Sequence, residues 1–375
     1  MFKTGKPVKG NDFIDRKKHL PVFKQYLQSN QNVMIKAPRR FGKTSLVKQV
    51  FEHEKKYPHI YVDLRRATNL KSLANQIIDK AYSFAGVDNF LNKFGKSITD
   101  LLKSIQSVKI DDIGEITLKM LEKDESDEVE YFLHSLDVVE KVAEKKELEL
   151  KFVFDEFQDI LRIADEFILE QMRSVMQHHE NVTYVFLGSI ETIMTKIFED
   201  KSSSFFHFAR VMNLDGLDFQ ELYDYTKDVF DNLEVEYDES LSIVLKFLNG
   251  HPDYSSQVLQ GIYFKVKIDD IKMINKEVCV DVLESVIIEN KAYLDELIIK
   301  AKQKKHHMEV LSAIANNKEI ELNSRTLYNT HSSLEDMGLI KNTKRGKYQI
   351  NDIFLTVLLQ QKNDEKLSIE PYLAD

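Results

Sequence analysis

Tryptophan is absent, and the 375 residues contain a single cysteine, Cys279. One thiol excludes an intrachain disulfide framework and any cysteine-built zinc site. Set in an apolar, helix-like run, Cys279 reads as a small core residue. Six prolines and twelve glycines leave few breaks, as in a helix-rich chain. No hydrophobic run approaches the length of a membrane span. Residues Met1 to Lys6 carry no apolar leader. Both absences point to a cytoplasmic protein with no membrane partner. Basic charge is also short: 52 Lys and Arg face 61 Asp and Glu, a net charge of −9. Such a chain is not a general nucleic-acid binder, and any such contact must use a local patch. What remains is 43% hydrophobic. At this length that suggests two or three domains.

The run Ala37-Pro38-Arg39-Arg40-Phe41-Gly42-Lys43-Thr44-Ser45 carries the most chemistry. It follows the strand-like Asn32 to Lys36 and opens onto the helix-like Ser45 to Phe51. Strand, tight loop and helix, with Gly-Lys-Thr at the helix start, are what a phosphate-binding P-loop needs. Amides at a helix N-terminus point at an anion, and the helix dipole favours negative charge there. Lys43 would reach the β- and γ-phosphates, and the Thr44 hydroxyl would ligate Mg²⁺. Gly42 lets the backbone approach phosphate with no Cβ in the way. The first motif position is Ala37 rather than Gly. If that position takes a positive φ, its Cβ costs roughly 1–2 kcal/mol.

The segment Leu148 to Asp159 is a buried-strand pattern ending in two adjacent carboxylates. In a parallel α/β sheet, ligands lie at the carboxyl ends of strands. Asp155 would hold Mg²⁺, and Glu156 would be the base that polarises water. A third strand, Val182 to Ser189, ends in small polar residues, and Ser189 is a candidate sensor of the γ-phosphate. Further strands are expected at Ile60 to Leu64 and Val211 to Leu214. Five strands with intervening helical patterns make an α/β P-loop NTPase core, a parallel sheet with flanking helices.

These residues resemble the ATPase family found predominantly in archaea, a branch of the STAND class close to AAA+ ATPases. Asp12 to Leu20 is similar to the family's F-I-x-R-x-x-E-L segment. Pro38 to Leu46 is similar to PRRxGKTSL, Asp155 to Gln158 to DEFQ, and Leu187 to Ser189 to the sensor-strand GS. Gly250-His251-Pro252 is similar to the GxP of a helical lid that lies against nucleotide, which implies that His251 and Pro252 approach ATP or ADP. The family's arginine after the sensor strand has no clean counterpart. Arg210, displaced from the expected place, is the catalytic candidate to act at the γ-phosphate, with His207 in that place as the alternative. The resemblance implies ATP or ADP with Mg²⁺ as cofactors.

Along the chain, Leu70 to Phe84, Phe90 to Ser107 and Val129 to Lys146 read as helices. Val108 to Leu118 reads as a hairpin around Gly114. Glu122 to Glu128 reads as a solvated loop and helix start. From Asp218 the pattern is helical: Phe219 to Asn232, Asp238 to Leu248, Pro252 to Lys265, then a long helix from Glu277 to Lys302 with room for one break. His306 and His307 lack ligands spaced for a metal and read as solvated. The last segment runs His307 to Asn316 as helix, Glu319 to Leu322 extended, and Ser324 to Met337 as helix closed by Gly338. Leu339 to Lys341 and Lys347 to Ile350 then pair as a hairpin. That order resembles a winged helix-turn-helix. Expected domains are 1–216, the P-loop core with its leading segment; 217–302, a helical lid; 303–362, the winged domain; and 363–375, a tail.

The function these features suggest is an ATP-binding STAND/AAA-like molecular switch. It would hydrolyse ATP slowly and couple nucleotide state to the lid and winged domain. The winged domain is expected to contact protein. A DNA-binding, initiator-like ATPase stands second, with Lys341, Lys344, Arg345 and Lys347 as phosphate contacts. A nucleotide-binding scaffold without turnover stands third. An oligomer is compatible with all three.

Overall fold

The computed structural model describes residues 2–14, 16–53, 56–86, 127–189, 191–344, 346–361 and 367–373. The helix expected from Phe90, the hairpin at Val108 to Leu118 and most of the acidic run lie outside these residues, as do Asp15 and Arg345. The chain divides into two compact units. One comprises Lys18–Ala37 and Val47–Leu214. The other comprises Met1–Lys17, Pro38–Leu46 and Asp215–Asp375.

The first unit is built on five parallel strands: β1 (Val33–Lys36), β2 (His59–Asp63), β3 (Leu150–Asp155), β4 (Val182–Gly188) and β5 (Arg210–Asn213). Their order is β2-β3-β4-β1-β5. Every residue of β3 and β4 is buried. Parallel strands covered on both faces read as continuous apolar runs, as β3 and β4 do; β2 alternates in burial and β5 is largely exposed. Because the strands are parallel, their carboxyl ends share one edge. There Asp63 pairs in register with Asp155, and Lys36 with Gly188.

The helices are α1 (His19–Gln28), α2 (Lys43–Lys48), α3 (Leu70–Ala85), α4 (Glu128–Lys145), α5 (Ile160–Ile163), α6 (Phe167–Met176) and α7 (Glu191–Phe198). Helix α2 crosses from one unit to the other. Helices α3 and α4 pack on each other, and both start at a side-chain cap. Asn69 accepts the Ser72 amide at 2.9 Å, and Asp127 accepts those of Val129 and Glu130. Asp127 is thus the helix start expected in the acidic run. Phe154, Phe157, Phe186, Phe198 and Phe205 form an aromatic core under the carboxyl edge.

The second unit is mostly helical: α8 (Phe219–Asp231), α9 (Ser240–Phe247), α10 (Pro252–Ile268), α11 (Lys276–Glu289), α12 (Lys291–Lys302), α13 (His307–Ala315), α14 (Ser324–Asp336) and α15 (Ile353–Gln360). The long helix expected over Glu277 to Lys302 breaks once, at Asn290. Its buried side chain bonds back to the Val286 carbonyl at 2.8 Å. Two short strands, β6 (Glu236–Tyr237) and β7 (Met273–Ile274), pair in parallel. Two residues apiece are too few to leave a periodic pattern. An antiparallel hairpin of β8 (Ile340–Lys344) and β9 (Lys347–Ile350) follows α14. Gly338 ends α14 at φ +69°. Glu319 to Leu322 joins no ladder. One apolar cluster runs from Leu222 through Cys279 and Leu311 to Phe354. Cys279 lies within it, its thiol pushed by burial up to about 12. His307 is also buried, which corrects its reading as solvated. Its Nδ1 meets the Lys305 carbonyl, and its Nε2 is enclosed without a partner. No set of three metal-ligating side chains occurs among the described residues.

Candidate functional site

The P-loop turn lies where the sequence places it, between β1 and α2. Ala37 is fully buried and does not have a positive φ, so its Cβ is accommodated without strain. The left-handed positions are Arg40, at φ +65°, and Gly42, at φ +85°. Gly42 begins the helix by accepting the Leu46 amide at 2.9 Å. The amides of the turn before Leu46 point out of the helix end, which is the geometry that receives an anion. Lys43 is buried and its ammonium donates to the Pro38 carbonyl at 3.1 Å, arching over the loop. Thr44 is half-buried in the first turn. The Ser45 hydroxyl accepts the Val8 amide at 3.2 Å. Arg39 is exposed.

Residues of the same unit brace this loop. Arg16, from the leading segment, donates to the Phe41 carbonyl at 2.8 Å and to the Asp215 carbonyl at 2.5 Å. It is almost completely buried. The Phe41 ring stands edge-on to His251, with centroids 4.9 Å apart. His251 caps α10: its Nδ1 accepts the Tyr254 amide at 3.2 Å, and Pro252 follows as the first helical residue. Burial, and then the charge of Arg40, hold its imidazole down to about 3. His251 is therefore neutral at pH 7 and its Nδ1 is occupied.

The second cluster sits on the carboxyl edge of the sheet. Asp155 is buried at the end of β3, where the Tyr61 hydroxyl donates to it. Burial raises its pKa; the Tyr61 bond opposes this, while Glu156 and Asp63 add to it. A carboxylate oxygen is a hard donor of the kind a divalent cation takes, but Asp155 is not part of a three-residue ligand set among the described residues. Glu156 sits at φ +52°, a conformation uncommon outside glycine and asparagine. Its Oε2 accepts from Ser189 and, at 2.8 Å, from Gln158. Its Oε1 lies 3.8 Å from the Arg65 guanidinium. Arg65 also grips Asp63 through bonds of 3.0 and 2.9 Å. Burial pushes the Asp63 carboxyl up, but the Arg65 bond and charge outweigh it and hold it low.

Thus Asp155, Glu156 and Ser189 are brought together, and Ser189 bonds directly to Glu156. Arg210 is not with them. It is exposed at the first position of β5, in register with Val33 at the start of β1. That is the end of the sheet away from Lys36, so within this chain Arg210 lies opposite the edge that carries Asp155 and Glu156. His207 precedes it and stacks on Phe206. Tyr61, Arg65, Arg16 and Asn290 were missed. Only Arg16 left a trace, as the arginine of the leading motif.

No curated protein matches the chain by sequence. Among solved structures, the Walker-type ATPase paby2304 of Pyrococcus abyssi is similar over 96% of this chain and 99% of its own, at 16% identity and a TM-score of 0.69. The Aeropyrum pernix ORC2 protein is similar over 95% and 92%, at 12% identity and a TM-score of 0.52. At these identities the likeness shows the fold, that of P-loop NTPases. The sequence profile of one family, described as an ATPase domain predominantly from Archaea, matches residues 13–258. That span covers both carboxylates, the P-loop and the Gly250-His251-Pro252 turn, and the chain belongs to this archaeal-type ATPase family.

Proposed function

We propose that the chain binds Mg-ATP, hydrolyses it slowly and acts as a STAND-like switch. The observation that carries this reading is the Glu156 carboxylate. It is held by Ser189 and Gln158 at the carboxyl end of the sheet, and Gly42-Lys43-Thr44 follows β1 directly in the chain. Lys43 and the helix-end amides would hold the β- and γ-phosphates of ATP or ADP. Thr44 and Asp155 would hold Mg²⁺, which supplies charge neutralisation at the phosphates when bound. Glu156 would take a proton from water, with Ser189 and Gln158 fixing the carboxylate. Slow turnover follows from the location of Arg210, because an arginine at the γ-phosphate is worth several orders of magnitude in rate. The Aeropyrum pernix ORC2 structure is of ADPNP–ADP complexes, which supports an adenine nucleotide here.

In this reading residues 1–216 are the ATPase core, 217–302 the lid, 303–362 a winged helix-turn-helix and 363–375 a tail. The winged domain would contact a protein partner, in a cytoplasmic protein able to oligomerise. A DNA role is second, favoured by the exposed Lys341, Lys344 and Lys347 of the hairpin. The test of the nucleotide reading is Mg-ATP affinity in Lys43→Ala. Binding should be lost with the melting temperature kept. Parent-like affinity in that variant would remove Lys43 from the site.

A further inference from the structure

Arg40 sits within the P-loop, and its side chain is engaged by the helices that follow His251. Its guanidinium donates to Asp253 on α10 at 3.1 Å and to Asn290, between α11 and α12, also at 3.1 Å. It also covers the Tyr293 ring at 4.6 Å. The acceptors are linked to one another. Gln257 donates to Asp253 at 2.8 Å and accepts from Asn290 at 2.7 Å. Asn290 is buried, so this network is fixed on the lid side. The arginine is the adaptable member, its side chain 41% exposed.

Resting on the nucleotide reading above, we propose that Asp253 is an affinity-setting residue that competes with nucleotide phosphate for Arg40. A guanidinium can satisfy a carboxylate or a phosphate with the same fork of donors, not both fully. Two residues, Phe41 and Gly42, separate Arg40 from Lys43, so the loop that receives the phosphates carries the arginine with it. Phosphate binding draws Arg40 off Asp253 and Asn290 and loosens the joint between α11 and α12. By reciprocity, whatever moves that joint changes nucleotide affinity by the same factor. Asp253 is thus a positioning residue, acting through Arg40.

The test is a double-mutant cycle read as Mg-ATP and Mg-ADP dissociation constants by calorimetry. Asp253→Asn keeps an oxygen for Gln257 but removes the competing charge. It should tighten Mg-ATP binding roughly two- to fivefold, the worth of a part-exposed ion pair. Arg40→Ala should weaken binding, and Asp253→Asn should then have no further effect. Arg40→Gln replaces Arg40→Ala if the latter melts early. A purely structural role for Asp253 predicts the reverse, weaker binding in Asp253→Asn. Unchanged or weaker binding there, or an effect that persists without Arg40, overturns the proposal. If the parent does not bind Mg-ATP, the nucleotide reading fails and the competition with it. Parent binding that is lost in Lys43→Ala, with Asp253→Asn equal to the parent, sinks the competition alone.

Discussion

His251 has a structural task beside the one its motif suggests. The resemblance places it against nucleotide. The structure gives its Nδ1 to the Tyr254 amide and its ring to Phe41 and Tyr254. Its burial has a measurable consequence. The imidazole titrates near 6.5 in the unfolded chain and at about 3 in the folded one. Between those values the unfolded state binds one more proton. Stability therefore rises with pH in that window and is lost as pH falls below about 6.5. From pH 7 to 5.5 this one group should remove about 1 kcal/mol. Asn at 251 preserves a helix-capping oxygen without a titrating ring. Urea unfolding of His251→Asn should lose less stability over that range by about this amount. Equal losses in both proteins would show that His251 is not buried as described.

At the scale of elements, two turns carry specific loads. Gly250 precedes that cap at φ +68°, and an added Cβ would stand 2.2 Å from the Leu217 carbonyl oxygen. The close approach is held by the Leu217 amide, which donates to the Gly250 carbonyl at 2.7 Å. Gly250→Ala should cost at least about 2 kcal/mol, from left-handed strain plus the backbone clash. A change under roughly 0.5 kcal/mol in urea unfolding would mean that the turn relaxes freely. The β8–β9 hairpin bears Lys341, Lys344 and Lys347, all exposed. If it meets duplex DNA, three lysines give a log–log salt slope near about −2.7, at roughly −0.9 per phosphate. Lys344→Ala with Lys347→Ala should flatten the slope by about two units. Anisotropy of a labelled duplex at low salt checks this. No binding with or without ATP would remove DNA and leave the protein-contact role.

At the scale of the molecule, what the sequence disclosed depended on how local each feature is. The P-loop turn is contiguous, so its residues could be read directly. The central strands β3 and β4 were legible because burial on both faces makes them apolar runs. Asp155 and Glu156 could be placed once β3 was seen to end there. The bracing contacts were not legible, because their partners are far apart in the chain. Arg40 meets Asp253 across 213 positions, and Tyr61 meets Asp155 across 94. Arg210 was misplaced for a related reason. Spacing from the sensor strand says nothing about which end of the next strand a residue occupies.

The central claim is that this edge of the sheet performs hydrolysis with Glu156 as base. Glutamine keeps the shape of the side chain but cannot take a proton from water. The most direct measurement is Mg-ATP turnover of the parent and Glu156→Gln, with Mg-ATP affinity measured on the same samples. The account predicts slow but measurable phosphate release by the parent. Glu156→Gln should bind Mg-ATP as the parent does, with release reduced by roughly 10²–10⁴-fold. Equal turnover in the two proteins would contradict Glu156 as base, and a parent that binds Mg-ATP without any turnover would contradict hydrolysis itself.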